Sequence, residues 1–209
     1  LSIVVGGINL FHANIDDITL RLLIPLGISY YTFQAIGYLI QMNRGLEKFE
    51  RDFIKFSNYF IFFPKYLAGP IEQSKNFLPQ LGKVIKFNEE DIISGFRLIL
   101  WGAFKKLVIA DRLSLVINGV YPNLDEVSGN VFLMTFLLQP LHLYCDFSGY
   151  TDIALGIGRA FGFKLTDNFR RPFFSSTVTE FWQRWHISLS AWCNEFIFKR
   201  LTFKFRRWG

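Results

Sequence analysis

Two stretches of this chain carry no charged residue at all, Leu22 to Asn43 and Val127 to Cys145. Each approaches the ~20 residues that a helix needs to cross a hydrocarbon core. Composition points the same way. Of 209 residues, 51% are hydrophobic and only 19% charged, and 25 are phenylalanine. A soluble domain carries about 25% charged residues, so this chain is short of material for a wetted surface. The expected fold class is all-α, a polytopic membrane helical bundle.

The first span, 22–42, is interrupted by Pro25, Gly27, Ser29, Thr32, Gln34 and Gly37. Small residues permit close helix approach and polar ones need partners, so this helix is expected inside a bundle. The next apolar stretch, FSNYFIFFPKYLAGP (56–70), spans only about 22 Å as helix, against a core of ~30 Å. Basic residues precede it (Arg44, Lys48, Arg51, Lys55) and follow it (Lys75, Lys83, Lys86). Cytoplasmic flanks are rich in Lys and Arg, so it is expected to enter and return on that face as a re-entrant segment. The final apolar segment, 177–198, lies between Arg170, Arg171 and the run Lys199, Arg200, Lys204, Arg206, Arg207, and reads the same way.

Between these, 92–118 forms a long helical segment leading to an acidic loop with Asp125 and Glu126. That loop and the one around Asp16 and Asp17 are placed outside. Lys105, Lys106, Asp111 and Arg112 within 92–118 must face a bundle interior, snorkel, or mark an interfacial helix. A further segment starts at 131, is interrupted by Pro140 and His142, and runs into YCDFSGYTDIALGIGRAFGF (144–163). The chain opens at Leu1 inside an apolar stretch without a signal-peptide pattern and stops at Gly209 with no closing element. Residues 1–209 are therefore expected to be a single membrane domain, a fragment of a longer chain truncated at both ends.

Several function classes find no support. The net charge of +6 comes with no nucleic-acid motif. Cys145 and Cys193 lie in apolar segments without CxxC or Cys/His spacing, as buried thiols would. His142 and His186 lack the spacing of a metal or haem pair, and His12 carries no readable signal. No metal site is expected. Gly156-Ile157-Gly158 is too short for a nucleotide loop.

One segment stands apart, EFWQRWHISLSAW (180–192), which sets His186 among three tryptophans. Projected as one helix at 100° per residue, Trp182, Phe181, Trp192, Trp185, Val178 and Leu189 share an arc of about 100°. His186 falls about 40° beyond Trp182, at the stripe's edge. That place suits a desolvated reactive group and also a structural histidine. Geometry alone favours the structural role, while ionisable residues in membrane segments lean functional. Thr177 to Glu180 fits the S/T-x-x-E capping box, and Arg184 stands four residues beyond Glu180 as an ordinary helical ion pair. Asp146 and Asp152, six residues apart, fall on opposed helical faces unless the SGY turn breaks the helix. Bundle-stabilising bonds come first for them, substrate-path lining second.

YCDFSGYTDIALGIGRAFGFKL followed by DNFRRPFFSSTVTEFWQRWHISLSAW resembles the signature region of the membrane-bound O-acyltransferase family. IPLGISYYTFQAIGYLIQMNRG (24–45) and FFPKYLAGPIEQ (62–73) agree in order and spacing, so the resemblance covers about 24–209. The branch is that of alginate O-acetyltransferase and the teichoic-acid D-alanyl transfer protein. The resemblance implies a multi-helix bundle with re-entrant segments around a tunnel, in a bacterial inner membrane. An acyl group, acetyl foremost, would pass from a cytoplasmic-side thioester donor, an acyl-CoA or acyl carrier, to a hydroxyl of an extracytoplasmic polysaccharide or other envelope polymer. An acyl-carrier or periplasmic protein is an expected partner; no bound cofactor is expected. His186 matches the first of the family's two functional histidines. The second, usually assigned as general base, lies in a later segment, so residues 1–209 alone are expected to be inactive. Substrate contacts are expected from Trp182, Trp185, Ser190, Asp146, Asp152, Asn168 and Arg171. The competing reading is a non-catalytic transport or export component, which broken spans and intramembrane charges would also suit.

Overall fold

A computed structural model describes residues 27–205. His12, Asp16, Asp17, Arg206 and Arg207, and the start of the 22–42 segment, lie outside the described residues.

The architecture is all-helical. Helix α1 (Ile28–Asn43) is followed by α2 (Phe53–Ile61), the single turn α3 (Phe63–Tyr66) and α4 (Ser74–Leu81). Helix α5 (Glu89–Ala103) passes through a π-helical stretch, Phe104–Ala110, into α6 (Asp111–Val120). Helix α7 (Gly129–Ala160) is the long element, and α8 (Val178–Arg184), α9 (Ile187–Cys193), a second π-helical turn (Asn194–Phe198) and α10 (Lys199–Phe205) complete the chain. Among the described residues the single extended pairing is an isolated antiparallel bridge between Phe169 and Trp185.

Local chemistry places several of these boundaries. Asp52 caps α2 by accepting from the amides of Ile54 and Lys55, and Asn88 caps α5 through Glu90, ahead of an acidic first turn that complements the helix dipole. The 56–70 stretch breaks at Phe62, whose ψ of 106° leaves the helical region. Pro64 then opens α3 at a position where its missing N–H costs nothing. Pro140 does not end α7; the helix runs through it, giving up one backbone bond.

Helices α5 and α7 pack antiparallel through two glycine pairs. A Cβ on Gly102 would stand 2.5 Å from the Gly149 carbonyl oxygen, and one on Gly95 would stand 2.6 Å from that of Gly156. Both helices space their glycines by seven residues, two turns, so one face of each is bare where they touch. Close approach lets the π-helical lysines reach across. Lys105 pairs with Asp152 at 2.7 Å and donates to Ser148 Oγ at 2.9 Å, and Lys106 pairs with Asp146 at 2.5 Å and Asp111 at 2.7 Å. Of the three options for the charges in 92–118, Lys105 and Lys106 take the bundle interior.

A second core lies where α1, α2 and α4 meet. Tyr38, Tyr59, Phe77 and Leu165 are buried there, alongside a polar network. The fully buried Lys65 Nζ donates to Gln34 Oε1 and the Tyr59 carbonyl, and the Glu72 carboxylate accepts from Thr166 N and Oγ1. Burial pushes the Glu72 carboxyl above its ordinary range, and the Thr166 bonds and Lys65 pull it partly back.

Among the described residues no helix is both long and apolar enough to cross a membrane. The described parts of the segments expected to span, 27–42 and from 131, therefore contain no such helix. Described α1 has only 16 residues. Helix α7 has ample length at 32 residues, but Gln139, His142, Asp146 and Asp152 dilute it. Large apolar side chains nevertheless cover much of the outside, including Phe53, Ile54, Leu100, Leu107, Leu133, Met134 and Leu137, each at least 55% exposed.

Candidate functional site

His186 does not lie within a helix. Helix α8 ends at Arg184, Trp185 is extended, and His186 takes the left-handed conformation (φ 43°, ψ 55°) before α9 begins. Only one other non-glycine residue among those described has positive φ, Arg171 at 48°. A β-carbon in that region costs about 1–3 kcal/mol and persists where the surroundings impose it.

Asn168 imposes it here. The first turn of α9 has no cap from its own N-cap side chain. Instead, the Asn168 carbonyl accepts from Ile187 N at 3.0 Å, and Asn168 Oδ1 accepts from Ser188 N at 3.1 Å. A residue 18 positions upstream thereby satisfies two of the orphan amides that every helix start leaves open. Arg170 N adds a bond to the Arg184 carbonyl at 2.9 Å, beside the Phe169–Trp185 bridge. Asn168 is fully buried. Ser188 Oγ accepts from Ile71 N at 3.0 Å and ties the start of α9 to the loop before α4.

The break changes what surrounds the histidine. The single apolar stripe projected over 178–192 does not exist, because the chain turns at 185–186. Trp185 packs with Tyr144, Phe169, Phe173 and Phe181. Trp192 is buried in another cluster with Ile71 and Phe196, its Nε1 donating to the Phe33 carbonyl at 2.9 Å. Trp182 and Val178 are mostly exposed. The half-buried imidazole lies edge-to-face against Phe147 of α7 at 4.7 Å. Its Nδ1 is enclosed and has no hydrogen-bond partner among the described residues, and the same holds for Asn168 Nδ2.

The capping box at α8 forms as its spacing predicts. Thr177 Oγ1 accepts from Glu180 N, Glu180 accepts from Ser176 N, and Arg184 pairs with Glu180. Asp146 and Asp152 do not converge, since α7 is unbroken through the SGY turn; each pairs with its own lysine. Asp152 and Arg171 share a cleft with Lys105, Tyr144 and Arg184. Trp182 and Ser190 do not line it; Ser190 Oγ reaches only the Trp185 carbonyl, at 3.4 Å. Phe147, Ser188 and Lys105 were not expected near the site. No local pattern announces them, since each acts through a partner at least 20 residues away.

The arrangement sets an imidazole against an aromatic wall, on a backbone bonded to the DNFRRP loop. Residues 47–209 match the membrane-bound O-acyltransferase family. The chain belongs to that family. It is 35% identical over 205 residues to a probable alginate O-acetylase AlgI of Pseudomonas fluorescens, covering 95% of this chain and 40% of that protein. It is 32% identical to a Helicobacter pylori peptidoglycan O-acetyltransferase, covering 86% of this chain and 39% of the relative. The teichoic acid D-alanyltransferase of Bacillus subtilis is also 32% identical, over 85% of this chain and 46% of its own. The chain thus spans less than half the length of these relatives. All three names describe acyl transfer, to alginate, peptidoglycan or teichoic acid, so an acyltransferase family rather than a transport family covers the His186 segment.

Proposed function

We propose that the protein carrying this chain is a multi-pass enzyme of the bacterial inner membrane. It moves an acyl group, acetyl foremost, from a thioester donor on the cytoplasmic side to a hydroxyl of an extracytoplasmic polysaccharide or other envelope polymer. Residues 1–209 form part of its membrane domain. Segments 56–70 and 177–198 dip into the bilayer, each built from short helices joined at a break, and the exposed apolar surface of α2, α5 and α7 faces lipid.

The observation that carries the reading is the break at His186. A strained, clamped imidazole with an enclosed, unpartnered nitrogen is poorly explained by packing. A polymer hydroxyl is a poor nucleophile at neutral pH, so its proton must leave as oxygen attacks the thioester carbon. Imidazole suits that proton transfer, and such assistance is worth about 10²–10⁴-fold. His186 either takes the proton in concert with a second base, the proton passing to the thiolate as the C–S bond breaks and the ester forms, or donates a hydrogen bond to the oxyanion of the tetrahedral intermediate. Trp185, Phe169 and Phe147 exclude water that would hydrolyse the donor. Trp182, Trp185, Ser190, Asp146, Asp152 and Arg171 are proposed substrate contacts, of which Arg171 and Asp152 share a cleft, while the fully buried Asn168 is proposed to act by positioning the His186 break.

In the full-length protein, His186→Ala is expected to abolish acyl transfer while leaving folded protein in the membrane. Undiminished transfer by that variant would refute the role.

A further inference from the structure

Beside the His186 break lies an open cleft of about 560 Å³ whose polar lining is mostly cationic. Arg170, Arg171, Arg184 and Lys105 border it, with Trp101 and Tyr144 as aromatic walls. Three of these cations have carboxylate partners: Lys105 with Asp152, the one acidic side chain in the lining, Arg170 with Asp167 at 3.3 Å, and Arg184 with Glu180. Arg171 has no ion pair among the described residues. Its backbone is also held left-handed, at a loop position pinned by the Arg170–Arg184 backbone bond and followed by the buried Pro172. The exposed Arg171 thus offers this concave surface a guanidinium without an ion pair among the described residues, from a backbone position in the left-handed region. Phe169 lines the same cleft and packs on Phe147, which packs on His186. The cleft therefore lies two aromatic rings from the imidazole.

We propose that this cleft is an anion subsite in which Arg171 binds a phosphate or carboxylate of a transfer substrate. The assignment rests on His186 marking the substrate site. A guanidinium offers paired N–H donors matched to either oxyanion. Lys105 and Arg184, already neutralised, shape the field rather than supply free charge. The paired Asp152 carboxylate fixes Lys105 and leaves Arg171 the unopposed cation. Phosphate would come from the carrier of the thioester donor, and carboxylate from an acidic acceptor polymer. The shared chemistry is an oxyanion.

The test uses the full-length protein in nanodiscs, titrated with inorganic pyrophosphate and separately with glucuronate. Intrinsic fluorescence is the readout, because Trp101 lines the cleft. Arg171→Asn preserves the fold, since asparagine tolerates the left-handed region. It is expected to weaken binding of the recognised anion by about tenfold or more, with Arg171→Lys intermediate. His186→Ala should leave the titration unchanged, so loss of the transfer role and loss of the anion subsite read out separately. In the transfer assay, competition with the donor assigns the subsite to the carrier phosphate, and competition with the acceptor assigns it to the polymer carboxylate. Absence of binding by both anions, or equal affinity in wild type and Arg171→Asn, would overturn the proposal.

Discussion

At the scale of single residues, the candidate site depends on a cap supplied from a distance. Asn168 gives both its backbone and side-chain oxygens to the start of α9, and this holds His186 left-handed. Asn168→Ala removes the acceptor for Ser188 N and leaves a buried donor unsatisfied. Equilibrium unfolding should show a loss of about 1–3 kcal/mol, and transfer should fall further than stability because the imidazole loses its anchor. Little of this was legible in the residues. The capping box at Thr177–Glu180 and the Glu180–Arg184 pair could be read because every partner lies within one helical turn. The break at His186 could not, because histidine is no preferred N-cap and the compensating acceptor lies 18 residues upstream. Projecting 178–192 as one helix therefore placed Trp192 beside Trp185, although they serve different clusters.

At the scale of elements, glycine sets the register between α5 and α7. Gly95 meets Gly156 and Gly102 meets Gly149, and that spacing delivers Lys105 to Asp152 and Lys106 to Asp146. The charges in 92–118 visibly demanded partners, and the small residues of 144–163 were visible too. Their pairing was not, because it depends on which turn of one helix faces which turn of the other. Gly149→Val places branched carbon against the Gly102 carbonyl. Overpacking of this kind costs about 1–3 kcal/mol, so a clear drop in Tm is expected. A surface glycine with open space around it, Gly129, should accept alanine with no comparable change. Equal Tm effects at the two positions would remove the close-approach account.

At the scale of the whole molecule, the apolar exterior is the feature to be explained. Leu133, Met134, Phe136 and Leu137 of α7 all lie open, and large exposed apolar patches mark binding or membrane surfaces. The all-helical class was legible from composition and uncharged runs. Which helices would meet lipid was not, because α7 alternates apolar residues with groups that serve the bundle interior. A cysteine at Leu137 is expected to resist a membrane-impermeant maleimide in intact vesicles, while one at Val84, in the loop between α4 and α5 and 91% exposed, reacts from one side. Rapid labelling at Leu137 from water would contradict a lipid-facing α7.

The central claim is that the imidazole of His186, rather than the shape of the break, serves transfer. His186→Asn separates the two, since asparagine accepts the left-handed backbone but cannot shuttle a proton. The decisive measurement is the single-turnover acyl-transfer rate of the full-length His186→Asn protein with its Tm measured in parallel. The rate is predicted to fall by about 10²-fold or more at an unchanged Tm. A rate within a few-fold of wild type would contradict the assignment.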